Sequence, residues 1–162
     1  MHSAVFKSDN EKCTFPEISI VIPTRNRRKL LIKTLESLFK QNLSSDKQEI
    51  IIVDDNGSDD TLEKLKTLNI PCRLTYVYLK RDKPDELLRN VSKARNIGAE
   101  YSESDILLFL DSDIILDTDA IQQHLISQEE NDVVFGRMKV EKEDGFILEE
   151  DPRENLFILY KN

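Results

Sequence analysis

Ile18-Ser-Ile-Val-Ile22, Glu49-Ile-Ile-Ile-Val53 and Ile106-Leu-Leu-Phe-Leu110 carry apolar side chains at successive positions rather than only at alternate ones. Neighbouring side chains of a strand point to opposite faces of the sheet, so runs of this kind have to be covered on both faces. The stretches between them supply the cover. Leu30, Leu31, Thr34, Leu35 and Leu38 recur at helical spacing and predict an amphipathic helix over 27–41. Leu62, Leu65 and Leu68 form the inner stripe of a second helix, which Asp59 or Asp60 can cap. Val91, Ala94, Ile97, Gly98 and Tyr101 mark a third over 90–102, and a fourth is expected over 117–129. Arg73 to Leu79 alternates as a further strand, and Val133-Val-Phe135 begins another. Arg153 to Tyr160 fits a helix or a strand equally. The order β-α-β-α-β-α-β-α-β predicts an α/β fold: a mostly parallel sheet with helices on both faces.

Composition agrees and removes several alternatives. The chain has 162 residues, 39% hydrophobic and 33% charged, enough for one domain with a core of its own. Residues 1–16 read as a polar leader without an apolar signal segment, and 17–162 as the folded domain. Apolar runs fall far short of a membrane span, so no transmembrane segment is expected. Two cysteines, Cys13 and Cys72, form neither a disulfide framework nor a metal motif, and a cytoplasmic setting is expected. Lys and Arg number 23 against 31 Asp and Glu, a net charge of -8, which disfavours nucleic acid as a partner. Any phosphate ligand would then need a cation to offset that charge. No G-x-G-x-x-G and no P-loop is present.

In sheets of this type ligands bind beyond the carboxyl ends of the strands. Three strands end there in polar groups: Pro23-Thr-Arg-Asn26, Asp54-Asp-Asn-Gly-Ser58 and Asp111-Ser-Asp113. The two acids of Asp111-Ser-Asp113 bring like charges together, which a divalent cation resolves. Mg²⁺ or Mn²⁺ is commonly held by one or two carboxylates and completed by water and substrate phosphates. The alternative for these acids is helix capping and loop solvation. Asp54-Asp55 either accepts from an N–H of a ligand ring or builds a turn by local hydrogen bonds, with Gly57 supplying a left-handed backbone. Gly98 inside a helix costs about 1 kcal/mol against Ala, which points to close approach of a neighbouring element. Arg95 reaches either an anion or a surface ion pair. Arg25, Arg27 and Arg28 near a helix start either meet an anion or form a solvated face.

Ile18-Ser-Ile-Val-Ile-Pro-Thr-Arg-Asn-Arg27, Ile51-Ile-Val-Asp-Asp-Asn-Gly-Ser-Asp-Asp-Thr61, Ala94-Arg-Asn-Ile-Gly98 and Leu107-Leu-Phe-Leu-Asp-Ser-Asp113, in this order, closely resemble the family 2 glycosyltransferases over about residues 18–140. The resemblance implies the GT-A fold, a Rossmann-like sheet, and a nucleotide-diphospho-sugar donor, with UDP-sugars the commonest choice. It implies that Pro23 and Thr24 lie against the nucleoside, that Asp55 accepts from the base N3–H with Asp54 supporting the loop, and that Arg95 and Asn96 stand beside the nucleotide. Asp113 would hold Mg²⁺ or Mn²⁺, and Asp111 would contact ribose or donor sugar or act through water, with Ser112 between them. Transfer in the family is inverting, with a carboxylate base acting on the acceptor hydroxyl. Arg25 stands where many relatives have an aromatic residue.

In that family the base lies well beyond the D-x-D, farther than Asn162. Glu149, Glu150 and Asp151 come early for the role, so the catalytic base is unassigned and the domain is expected to be C-terminally truncated, without its acceptor half. The sheet surface left uncovered predicts self-association. Two other readings stay open: a non-catalytic nucleotide-sugar-binding module, and a nucleotidyltransferase. The second lacks the expected glycine-rich basic loop after the first strand.

Overall fold

The computed structural model describes residues 4–8, 15–81, 90–136 and three strand segments beyond them. Its strands are β1 (Ala4–Lys7), β2 (Ile18–Thr24), β3 (Gln48–Asp54), β4 (Arg73–Tyr78), β5 (Ile106–Phe109), β6 (Met138–Glu141), β7 (Ile147–Glu150) and β8 (Ile158–Tyr160). Its helices are α1 (Arg28–Leu38), α2 (Thr61–Lys66), α3 (Val91–Tyr101) and α4 (Ala120–Gln128). Six strands form one sheet in the order β1-β4-β3-β2-β5-β8, and β6 and β7 form a separate antiparallel pair. The inner four, β4, β3, β2 and β5, run parallel, and the edges β1 and β8 are antiparallel to their neighbours.

The successive apolar positions divide between two cores. Ile18, Ile20, Ile22, Ile50, Ile52, Leu74 and Leu108 face Leu31, Leu35 and Leu38 of α1, Leu65 of α2 and Ile121 of α4. Val21, Ile51, Val53, Val77, Leu107 and Phe109 face the other way, onto Ala94 and Ile97 of α3. Every residue of β3 is buried. Gly98 lies against this second face. A Cβ built there would stand 2.2 Å from Val21 Cγ1, so the missing side chain is what lets α3 settle on β2.

At the amino ends of the strands the polar residues satisfy one another. Ser19, Glu49 and Arg73 stand side by side across β2, β3 and β4. Ser19 Oγ donates to Glu49 Oε1 at 2.6 Å, as does the Glu103 N–H. Arg73 bridges Glu49 and Glu103. The turn from α3 into β5 is therefore tied to a carboxylate that is only 1% exposed.

Three expectations are corrected. Residues 4–7, assigned to a polar leader, form edge strand β1 beside β4, where Val5 opposes Val77 and Phe6 packs against the α1-side core. Strand β2 runs on through Pro23 to Thr24, because β5 has diverged by then: pairing with β5 stops at Val21, so no ladder bond is lost to the missing N–H. Val133-Val-Phe135 is not a strand; Val134 packs on the core instead, and the next strand starts at Met138. The C-terminal segment left open as helix or strand contains β8 at Ile158–Tyr160. The charged stretch 82–89, residues 9–14, and most of 142–157 fall outside the described residues. No helix among the described residues is long and apolar enough to cross a membrane.

Gly98→Ala tests the close approach. The gain in helix propensity, about 1 kcal/mol, is outweighed by overpacking of about 1–3 kcal/mol against Val21. Denaturant unfolding should show a net loss of stability. Adding Val21→Ala, which removes the clashing methyl, should make the Gly98→Ala step less costly than it is beside Val21.

Candidate functional site

The parallel strands β2, β3 and β5 deliver three loops to one rim. Thr24 lies beside Asp54 in register, the Asp55 N–H donates to the Thr24 carbonyl at 2.9 Å, and the Leu110 N–H donates to the Val21 carbonyl at 3.0 Å. A cleft of about 390 Å³ opens there. Its walls include Pro23, Thr24 and Arg25 from the first loop, Asp55 from the second, Arg95 from α3, and Asp111, Ser112 and Asp113 from the third. Eight of the ten expected site residues thus share one cavity.

The other two lie elsewhere. Asn96 is exposed on α3 and does not line the cleft. Asp54 is 2% exposed beneath the β3 loop, where its carboxylate accepts from the Gly57 N–H at 2.7 Å and the Tyr76 hydroxyl at 2.8 Å. Burial pushes the Asp54 carboxyl above the ordinary aspartate range, although both hydrogen bonds favour its charged form. Burial, reinforced by the Asp54 charge, likewise raises the Tyr76 phenol. The expected role of Gly57 is corrected. The left-handed residue is Asn56, at φ 60°, and Gly57 is outside that region. A Cβ at Gly57 would stand 2.5 Å from Asp54 Oδ1, so glycine is needed there to clear the carboxylate.

The first two loops hold each other. Asn26, left-handed at φ 54°, accepts the Ser58 N–H on its side-chain oxygen at 2.7 Å. Asp59 Oδ2 accepts the Arg28 N–H at 2.8 Å and Oδ1 accepts from the Thr61 hydroxyl at 2.6 Å. The expected cap of α2 by Asp59 or Asp60 is corrected: α2 has no side-chain cap, and Asp59 instead satisfies the first N–H of α1. The residues that close these turns are Asn and Asp, which tolerate left-handed backbone and bond locally.

Charge in the cleft is balanced internally. Asp113 pairs with Arg27, and Asp111 accepts from Arg95 Nη2 at 3.0 Å. Asp55 takes a two-pronged bond from Arg81, whose Nε lies 2.9 Å from Oδ1, and accepts the Asn90 N–H at 3.2 Å. Arg81 was not among the expected residues; an Arg in a charged stretch carries no signal until the fold brings it to Asp55. Of Arg27 and Arg28, expected either to meet an anion or to form a solvated face, Arg27 lines the cleft. Arg25 lines it too and, among the described residues, has no carboxylate partner. Thr24 Oγ1 and Arg95 Nε are buried without a hydrogen-bond partner among the described residues, a cost of about 1–3 kcal/mol each if a ligand or water did not relieve it.

Among the described residues no group of three or more His, Cys, Asp or Glu side chains gathers to hold a metal ion. Asp111 and Asp113 offer hard oxygen donors on one wall, which matches a dication held by one or two carboxylates and completed by substrate phosphate and water. The residues fit a metal shared with a ligand rather than one caged by protein.

A polar cleft at the carboxyl edge of a parallel α/β sheet is where domains of this architecture bind their ligands. The model of the glycosyl transferase family 2 matches residues 19–161, and the chain belongs to that family. It is 32% identical over 110 residues to validoxylamine A glucosyltransferase of Streptomyces hygroscopicus subsp. jinggangensis (strain 5008), covering 68% of this chain and 25% of that protein. It is 31% identical over 129 residues to the poly(ribitol-phosphate) beta-N-acetylglucosaminyltransferase TarP of Staphylococcus aureus (strain N315), covering 77% and 37%. The crystal structure of S. aureus TarS 1–349 superposes with a TM-score of 0.66 at 26% identity, covering 76% of this chain and 36% of that one. The same TarS segment in complex with UDP-GlcNAc gives 0.64, covering 76% and 34%. The fold is thus that of the GT-A glycosyltransferases. The chain spans about a quarter of the length of the first of these relatives.

Two measurements probe the site's scaffold. Because folded Asp54 holds its proton at pH values where the unfolded chain has released it, this group makes stability fall as pH rises from the ordinary aspartate pKa through the raised one. Asp54→Asn, which keeps an oxygen for Gly57, should flatten that part of the stability–pH profile. Arg81→Met leaves Asp55 charged and nine-tenths buried, so it should cost about 3–5 kcal/mol. Asp55→Asn in the same chain should recover part of the loss in a double-mutant cycle.

Proposed function

We propose that this chain is the donor-binding part of a glycosyltransferase that takes a nucleotide-diphospho-sugar. The observation that carries the reading is the convergence of Thr24, Asp55, Arg95, Asp111 and Asp113 from separate elements on one cleft. Asp55 stands as the acceptor for a base N–H. Three of its four lone-pair positions already serve Arg81 and Asn90, which leaves room for the single N–H of a pyrimidine such as uracil. Relatives whose complexes contain UDP and UDP-GlcNAc support the same choice. Pro23 and Thr24 flank the nucleoside, with the unsatisfied Thr24 Oγ1 free to bond it. Arg95 and Arg25 meet anionic or ring atoms of the nucleotide, and Asn96 supports this region from the exposed side of α3.

Asp113 would hold Mg²⁺ or Mn²⁺ directly, and Asp111 would contact ribose or donor sugar or reach the ion through water. Once bound with the donor, such an ion neutralises charge that builds on the departing nucleoside diphosphate. The protein's own part is to hold the donor's base and diphosphate still and to keep the reacting sugar at the mouth of the cleft. The reading takes transfer to be an inverting displacement in which a carboxylate base deprotonates the acceptor hydroxyl. Mn²⁺ in a GDP-Man complex of a mannosyltransferase from Pyrobaculum calidifontis occurs on the same fold, at 19% identity and a TM-score of 0.58.

Calorimetry with UDP, GDP and dTDP, with and without Mn²⁺, tests the reading. UDP should bind only with metal present, and Asp113→Ala should weaken it by about tenfold or more, as expected for loss of a charged ligand contact. Failure of every nucleotide to bind would overturn the proposal. Release of free sugar or transfer from UDP-sugars then separates an enzyme from a binding module.

A further inference from the structure

We infer that Arg27 is a displaceable counter-ion of Asp113, which it holds in the empty cleft and surrenders to a dication, its guanidinium then turning to the donor diphosphate. The inference rests on the reading of Asp113 as a metal-facing carboxylate. Arg27 and Asp113 lie far apart in sequence, both line the cleft, and their ion pair leaves both side chains about one-third exposed. A surface pair of that exposure is ordinarily weak and easily exchanged. Its placement here is not that of a loose surface side chain. Arg27 follows the left-handed Asn26, whose side chain is bonded to the Ser58 N–H, and precedes Arg28, whose N–H is bonded to Asp59. The backbone that carries Arg27 is therefore pinned on both sides by the β3 loop, and its guanidinium is kept within reach of the third loop.

The charges make exchange the economical arrangement. Among the described residues each of the three carboxylates that line the cleft already has a guanidinium partner, Arg27 for Asp113, Arg95 for Asp111 and Arg81 for Asp55. A dication that arrives alone must displace Arg27 from Asp113 and meets the repulsion of the freed guanidinium. A dication that arrives with a diphosphate meets a different balance: the phosphates accept the guanidinium that Asp113 releases. Binding of metal and donor is thereby coupled, and the acids are never left unpaired in either state. That the cleft is built for a ligand is indicated independently by Thr24, which is 5% exposed, lines the same cavity and has an Oγ1 without a partner among the described residues.

The test compares wild type, Arg27→Met, Arg27→Lys, Asp113→Asn and the Arg27→Met/Asp113→Asn pair. The probes are Mn²⁺ alone, followed by electron paramagnetic resonance of the free ion, and UDP in saturating Mn²⁺, followed by calorimetry. Thermal unfolding confirms that each variant is folded. Arg27→Met should tighten Mn²⁺ alone by about tenfold and weaken UDP by about tenfold, as befits removal of one close charge. Arg27→Lys should stay near wild type for Mn²⁺ alone, and the gain from Arg27→Met should vanish in Asp113→Asn. Opposite signs for the two ligands are something a merely structural residue would not produce. Changes of the same sign, no change, or tightening of Mn²⁺ without loss of UDP would each overturn the inference. If instead Asp113→Asn leaves Mn²⁺ binding with UDP untouched, the metal-site reading itself fails and the counter-ion role falls with it.

Discussion

Burial of the parallel strands on both faces is the constraint from which the rest follows. Strands β2 and β3 can place polar residues only at their ends, because everything between is covered by α1, α2 and α4 on one side and α3 on the other. The two ends then solve their polarity differently. At the amino edge, Ser19, Glu49, Arg73 and Glu103 form a closed set in which donors and acceptors find each other. At the carboxyl edge, balance among the described residues is incomplete: Thr24 Oγ1 and Arg95 Nε lack hydrogen-bond partners and Arg25 lacks a carboxylate, all at one cleft. The same class of residue is a fastener at one edge and, in the proposed function, a recognition element at the other.

The acidic character of the chain has a local meaning in this light. A net charge of -8 would repel a nucleotide donor over most of the surface. Within the cleft that repulsion is cancelled, carboxylate by guanidinium, by Arg27, Arg81 and Arg95. Among the described residues no group of three or more metal-binding side chains gathers there, so in the proposed function the ligand would complete the metal site. Cation and anion binding are for that reason inseparable in the proposed function.

Rigidity of the rim comes from small devices with separate causes. Gly98 removes a side chain so that α3 can lie on Val21, and Gly57 removes one so that the Asp54 carboxylate can lie under its loop. Asp59 and Asn26 tie the β2 and β3 loops together through backbone N–H groups. Asp54 and Tyr76 supply a buried post beneath them. None of these residues needs to touch a ligand, yet Asp55 and Arg27 are aimed by them.

Successive apolar positions and helical spacing were enough to read the parallel sheet, its two-sided cover and the four helices from the amino-acid order, since these patterns are local consequences of period 2 and period 3.6. The three polar loops at the strand ends were legible for the same reason, and family membership agreed with that reading. Edge strand β1 was not legible: a short stretch in a polar segment becomes a strand only because β4 offers it an unpaired edge. Nor could sequence say that Val133-Val-Phe135 would pack without pairing, or that Asn56 and not Gly57 would take the left-handed turn. Above all, the partners Arg27 for Asp113, Arg81 for Asp55 and Arg95 for Asp111 were decided by tertiary structure, because ion pairs between residues remote in sequence depend on distances that only the folded sheet sets.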